Sequence, residues 1–317
     1  MNSITHFNEP AWRGAGKTVK ADTALEAIEQ AKLDWEVGKQ ALSRFNDFGN
    51  YVAMPEAVAL VRRDTDAVLG VVGPDYGLVQ NKEAFGFFDR VVEDGGATYV
   101  GAGSFGGGKR VWVQAKWDGD VEIVRGDTVQ KFLLLSNGHD GHNALRVFIT
   151  PVRVFCTNTL NSALRGAGRS GVTVEHSGDM TVKLRQAEQT LGVVRRYYDD
   201  FTRVSRQTTE IQVNRARLTA LLDSVVPLPK DKEPSEKAKA VRTTIVRLFE
   251  EGKGNQHVGV RGTGWAFVNA VAEYADFYRA STGKTDEARA TNRLDSIWFG
   301  SGAQLKARAW DTVLAAA

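Results

Sequence analysis

The sequence predicts an α+β fold: an antiparallel β-sheet with flanking helices, followed by an all-helical C-terminal half. Three observations predict it. Short β-rich runs broken by glycine and aspartate crowd residues 50–175. After Gly178 the apolar residues fall at helical spacing instead. Pro227, Pro229 and Pro234 then interrupt the helical part with one charged loop. A chain of 317 residues has room for one large or two medium domains of about 150 residues each. The change of texture divides it into an α+β region over 1–178 and a helical region over 179–317 that packs on the sheet.

The elements follow in order. Residues 22–46 read as a helix, with Leu25, Ile28, Leu33, Val37 and Leu42 near helical spacing and Asp22 or Thr23 as its cap. Ala57–Arg62 and Ala67–Val72 form a hairpin around the polar Arg63–Asp66 turn. Asn81–Glu93 is a short amphipathic helix carrying Phe85, Phe88 and Val92. Four β-like runs follow: Ala97–Ala102, Arg110–Trp117, Val129–Ser136 and Leu145–Cys156. Met180–Val213 is one long helical pattern, 223–236 is a loop, and further helices cover Ser235–Glu251, Trp265–Thr282, Thr285–Trp298 and Gly302–Leu314.

Apolar residues at 42% and charged residues at 25% exclude wholesale disorder and fibrous repeats. No run of 18 apolar residues offers a membrane span. The polar first 16 residues lack an apolar signal core, so a cytoplasmic location is expected. The lone Cys156 excludes an internal disulfide and a thiolate zinc cage, and no cofactor is expected.

The net charge of +3 hides an asymmetry. Residues 1–140 carry 15 basic and 20 acidic residues, a local −5; residues 141–220 carry 12 and 6, a local +6. Most cations of that middle segment are arginines, among them Arg146, Arg153, Arg165, Arg169, Arg195 and Arg196. Solvated helix faces account for single arginines, but a concentrated +6 is the electrostatic footprint of a polyanion site.

Two phosphate-binding patterns fail on context. Gly14-Ala15-Gly16-Lys17-Thr18 resembles the end of a P-loop, yet the position requiring its first glycine is Ala11 and no buried strand precedes it. Gly101-Ala102-Gly103-Ser104-Phe105-Gly106 fits G-x-G-x-x-G, but strands flank it on both sides. It reads as a flexible hairpin tip with Phe105 exposed, and no kinase catalytic loop accompanies it. The densest polar cluster is Asn137-Gly138-His139-Asp140-Gly141-His142-Asn143. His139, Asp140 and His142 could hold a metal or shuttle a proton, although turn chemistry alone explains Asn-Gly and Asp-Gly and a further ligand is missing nearby.

Strand alternation supplies the main functional signal. Arg110, Trp112, Gln114 and Lys116 share one face of their strand. The near-repeats Arg146-Val147-Phe148-Ile149-Thr150 and Arg153-Val154-Phe155-Cys156-Thr157 each put Arg, Phe and Thr on one face. Cations interleaved with aromatic rings suit single-stranded nucleic acid, with arginines on phosphates and rings on bases. In the competing arrangement the sheet is covered on both sides and these rings are core.

At Ser136–Gly141 and Pro151-Val152-Arg153-Val154-Phe155-Cys156-Thr157-Asn158-Thr159-Leu160 the sequence resembles the phage/plasmid-like protein family, filed as domain of unknown function 932. Further matching stretches are Trp12–Gly16, Trp35-Glu36-Val37, Tyr76–Asn81, Thr263-Gly264-Trp265, Asn269–Tyr274, and Trp298–Ala303 with Lys306 and Ala309. Gly138 and His142 depart from the small serine-like residues expected there. The resemblance implies a mobile-element origin and supplies no activity.

The resulting expectation is a single-stranded-DNA binding or annealing protein of recombination or replication. It would act as a homo-oligomeric ring or filament, with Arg110, Trp112, Lys116, Arg146, Arg153, Asn158, Arg165 and Arg169 on the strand. Two alternatives stay open: a metal-dependent enzyme on nucleic acid or nucleotide through the His139/Asp140/His142 turn, and a phage structural or host-interaction protein.

Overall fold

A computed structural model describes residues 15–93, 96–154, 159–160, 171–184, 193–229, 231 and 233–316. The architecture is α+β, as the sequence predicts. The order is β1 Lys17–Ala21, α1 Ala24–Ala31, β2 Val37–Phe45, β3 Tyr51–Arg62, β4 Ala67–Val72, α2 Asn81–Glu93, β5 Ala97–Phe105, β6 Arg110–Val124, β7 Asp127–Gly138, β8 Leu145–Ile149, β9 Val152–Arg153 and β10 Gly171–Val174. Then come α3 Val193–Glu210, α4 Arg215–Val225, α5 Glu236–Glu251, α6 Gly264–Glu273 with a π-helical continuation Tyr274–Tyr278, α7 Asp286–Trp298 and α8 Ser301–Ala315.

Seven strands form one antiparallel sheet in the order β1-β5-β6-β7-β8-β10, with β9 on the end of β7; β2-β3-β4 form a second. Period-2 alternation divides the large sheet. Val111, Val113, Leu133, Leu135 and Val147 face a core shared with Ile28 of α1, Phe85 and Phe88 of α2, Phe201 of α3, Trp265 of α6 and Trp310 of α8. That core joins residues on both sides of position 178. Trp112, Phe132 and Leu134 face the other way, into a smaller cluster closed by Leu294, Ile297 and Trp298 of α7.

The 22–46 helix is corrected. Thr23 caps α1 through its hydroxyl, but the helix stops at Lys32, whose φ of +57° is left-handed. Residues 37–45 then pair with β3, Val37 opposite Arg62 and Phe45 opposite Tyr51. Beyond Trp35 only Val37, Leu42 and Phe45 are large apolar residues, too few for a buried helical stripe, so the backbone bonds of the hairpin decide. Lys17 and Thr18 lie in edge strand β1, not in a phosphate loop.

The glycine-rich segment is a hairpin, joined by Gly106, Gly107 and Gly108 at φ of +59°, +70° and +111°. Three successive positive φ values demand glycine. Phe105 is buried against Trp112 and Trp298 rather than exposed, because its strand face is the one α7 covers.

Strand β4 pairs only with Val58–Arg62, so the outer half of the β2–β3 hairpin is a two-stranded arm. At its end Phe45, Phe48 and Tyr51 are 65%, 88% and 81% exposed, the first and last in edge contact at 5.3 Å.

Gly16 and Gly103 both flank the Trp112 ring. A Cβ on Gly16 would stand 2.3 Å from Trp112 Cζ2 and 2.8 Å from the Ala102 carbonyl oxygen. Gly16→Ala is therefore expected to cost about 1–3 kcal/mol through overpacking, read as a lowered urea midpoint with an unchanged slope.

Candidate functional site

The outer face of the large sheet is built from aligned rows. Gly103, Trp112, Ser136, Arg146 and Thr173 lie side by side across β5, β6, β7, β8 and β10. The next row holds Gln114, Leu134, Phe148 and Gly171. The predicted grouping of Arg110, Trp112, Gln114 and Lys116 on one face therefore holds, and Arg146 and Phe148 join it.

Their environments differ. Arg146 is exposed, Phe148 and Lys116 are half-buried, Gln114 is buried, and Trp112 is buried beneath α7. Trp112 meets Trp298 at 5.0 Å between centroids, and Phe148 meets Phe299 at 5.4 Å. Arg110 lies 4.4 Å over the Phe299 ring. It donates to Asp295 of α7 and to the side-chain oxygen of Asn143, whose amide in turn donates to Asp140. Burial lowers the Arg110 pKa, and the Asp295 charge opposes that.

Trp112 as an open stacking platform is thus corrected: its own face is covered. Arg153 is corrected too. Its guanidinium is fully buried and donates to both carboxylate oxygens of Asp127, at 2.7 and 2.8 Å, to Asn255 Oδ1 at 2.9 Å and to the Gly254 carbonyl at 2.9 Å. Trp265 Nε1 donates to the same Asp127 at 2.7 Å. A buried arginine with a bidentate carboxylate is a structural clamp. Asn158, Arg165 and Arg169 lie outside the described residues, as do the side chains of Arg195 and Arg196.

A second buried ion pair lies on α6's continuation. Lys306 of α8 donates to Asp276 at 2.9 Å and to the Thr159 hydroxyl at 2.6 Å, while Thr159 donates its backbone N–H and hydroxyl to Asp276, both at 2.7 Å. Burial lowers the Lys306 pKa against the pull of Asp276. Arg153, Thr159, Trp265, Glu273 and Lys306 come from stretches that carry the family resemblance. Sequence reasoning missed Asp127, Asn255, Asp276 and Asp295, partners 26 to 185 residues distant. Lone polar residues in strands or helices carry no local signal of such pairing.

The Asn137–Asn143 turn is anchored, not open. His139 is buried, with Nε2 2.7 Å from Asn81 Oδ1 and its ring edge-on to Trp35. Desolvation lowers its pKa to about 4. His142 is exposed. Asp140 accepts the backbone N–H groups of His142 and Asn143 at 2.9 and 3.1 Å. His139 and His142 therefore stand in different environments. Among the described residues no group of three His, Cys, Asp or Glu could hold a metal.

Two predictions follow from burial. Arg153→Met leaves Asp127 charged and unpaired and is expected to cost about 3–5 kcal/mol, whereas Arg153→Met with Asp127→Leu recovers part of the loss in urea titrations. The second concerns pH. Burial raises the Glu273 carboxyl to about 7, against the charges of Arg153, Arg247 and Lys253. Its protonated form is favoured on folding, so its contribution is full below about 4.5 and is lost as pH rises to about 7. His139 acts oppositely, losing stability as pH falls from 6.5 to about 4. Each spans at most about 3 kcal/mol, and together they flatten the profile. Glu273→Gln should expose a stability loss below pH 6.5, seen in urea midpoints across pH.

No curated protein and no solved structure matches the chain. A family model described as a domain of unknown function matches residues 68–298. That span reaches from β4 to the end of α7 and takes in strands β5 to β10, the Arg153 clamp and Asp295. The chain belongs to the family of domain of unknown function 932.

Proposed function

We propose that the protein binds single-stranded nucleic acid, as a binding or annealing protein of a mobile element. One observation carries the reading: exposed Arg146 stands on the outer sheet face beside Phe148, with Arg110 and Phe299 next to them. A cation among partly exposed rings offers a phosphate contact and a stacking surface together. The local +6 of residues 141–220 supports a polyanion partner. Lys116 extends the same face toward the far end of β6. Self-association into a ring or filament belongs to the proposal, because one subunit's strip contacts few nucleotides and a repeated heterologous interface would join the strips.

Titration of labelled oligothymidylate at 50 and 200 mM salt tests it. Binding should weaken steeply with salt, and Arg146→Ala should lower the slope of log affinity against log salt by roughly one, as expected for one lost phosphate contact. Salt-independent binding, or none, would overturn the proposal.

A further inference from the structure

Three polar atoms on α7 and the sheet face it covers are buried without a hydrogen-bond partner: Trp112 Nε1, Gln114 Oε1 and Trp298 Nε1. Each belongs to a side chain at least nine-tenths buried. The other end of Gln114 is engaged, its amide donating to Thr150 Oγ1 at 3.2 Å, and its row, with Leu134 and Phe148, lies next to that of Trp112, whose ring meets Trp298. Buried polar groups are ordinarily satisfied, and a cluster of exceptions between two elements calls for an explanation. The layer's walls are aromatic: Phe105, Trp112, Trp298 and Phe299, with Phe148 at the margin. On one side Gly16 and Gly103 lay bare backbone against the Trp112 ring.

Helix α7 closes this layer with a narrow stripe. Only Leu294, Ile297 and Trp298 of its thirteen residues are buried. A polar tie from its covering face to the sheet runs from Asp295 to Arg110. The chain enters α7 past Gly283, at φ +152°, and leaves it at Gly300. Arg110 is thus latch and cation at once. Arg146 stands two strands from Trp112, about 10 Å away by strand spacing.

We propose that the packed layer between the β6 face and α7 becomes a nucleobase site when α7 lifts, and that Arg110–Asp295 keeps it closed in the unbound protein. A base inserted there stacks on Trp112 or Trp298, and its edge offers acceptors to the two indole N–H groups and a donor to Gln114 Oε1. Its phosphate meets Arg146 and competes with Asp295 for Arg110. An aliphatic ligand would leave the three polar atoms unsatisfied, and a free anion would leave the aromatic walls unused. The inference rests on the nucleic-acid reading above and adds where a base goes.

The test compares oligothymidylate with an abasic oligomer of equal length and charge, for the full-length protein and for Asp295→Asn. Releasing the latch should tighten oligothymidylate binding about tenfold while changing abasic binding less than twofold. Mere loss of a negative charge would favour both oligomers alike. Adding Trp112→Phe to Asp295→Asn should abolish most of the gain, with urea midpoints confirming that both variants fold. Equal gains on the two oligomers, or no gain on either, would overturn the pocket while leaving the binding proposal intact. If the unmodified protein binds neither oligomer, both fall.

Discussion

The Arg153–Asp127 clamp is the interaction on which the two halves of the molecule depend. Asp127 begins β7 and Arg153 ends β9, so the ion pair first ties two paired strands. Asn255 and Trp265 then bind the same two charges from the helical half, and Asn255 also donates to the Leu248 and Ala266 carbonyls. Each group in this cluster satisfies another's desolvation demand, which lets two full charges stand in a dry core. Removing any one leaves the others exposed to that penalty. The Lys306–Asp276–Thr159 trio repeats the device between α8, the π-helical turn and the segment after β9.

The same arrangement explains why the two faces of the large sheet differ. On the inner face strands and helices share one apolar core, with Asn137 tied to the Val79 carbonyl among the apolar residues. Among the described residues the outer face is covered in part by a helix with three buried residues. Polar and aromatic residues there range from exposed Arg146 to buried Trp112 within a single row. Arg146, Phe148 and Lys116 on that face remain within reach of solvent.

The sequence shows most of this architecture where periodicity is local. Helix α2 lies where its stripe of Phe85 and Phe88 predicts it, and α5 and α7 begin at capping residues Ser235 and Thr285. The Arg63–Asp66 turn is legible because short polar residues tolerate its geometry, with Asp66 at φ +55°. The alternation of Arg110, Trp112, Gln114 and Lys116 places them on one face, but strand spacing does not say what covers a face. Trp112 and Arg153 illustrate this: their coverings come from Trp298 and Asn255, remote in sequence. Residues 37–45 fail for a related reason, because their partner strand and not their own pattern decides their state.

The clamp also orders events in time. Arg153 and Asp127 meet early in the chain, while Asn255 and Trp265 lie about a hundred residues later. At ribosomal rates of about 5–20 residues per second, roughly 5–20 seconds separate the emergence of Arg153 from that of Trp265. Until that interval ends the charges lack their helical partners and the inner sheet face lacks Trp265 and Trp310. The N-terminal strands therefore wait for helices not yet made, with apolar surface open to chaperones, and the sheet settles only after α6 has left the ribosome.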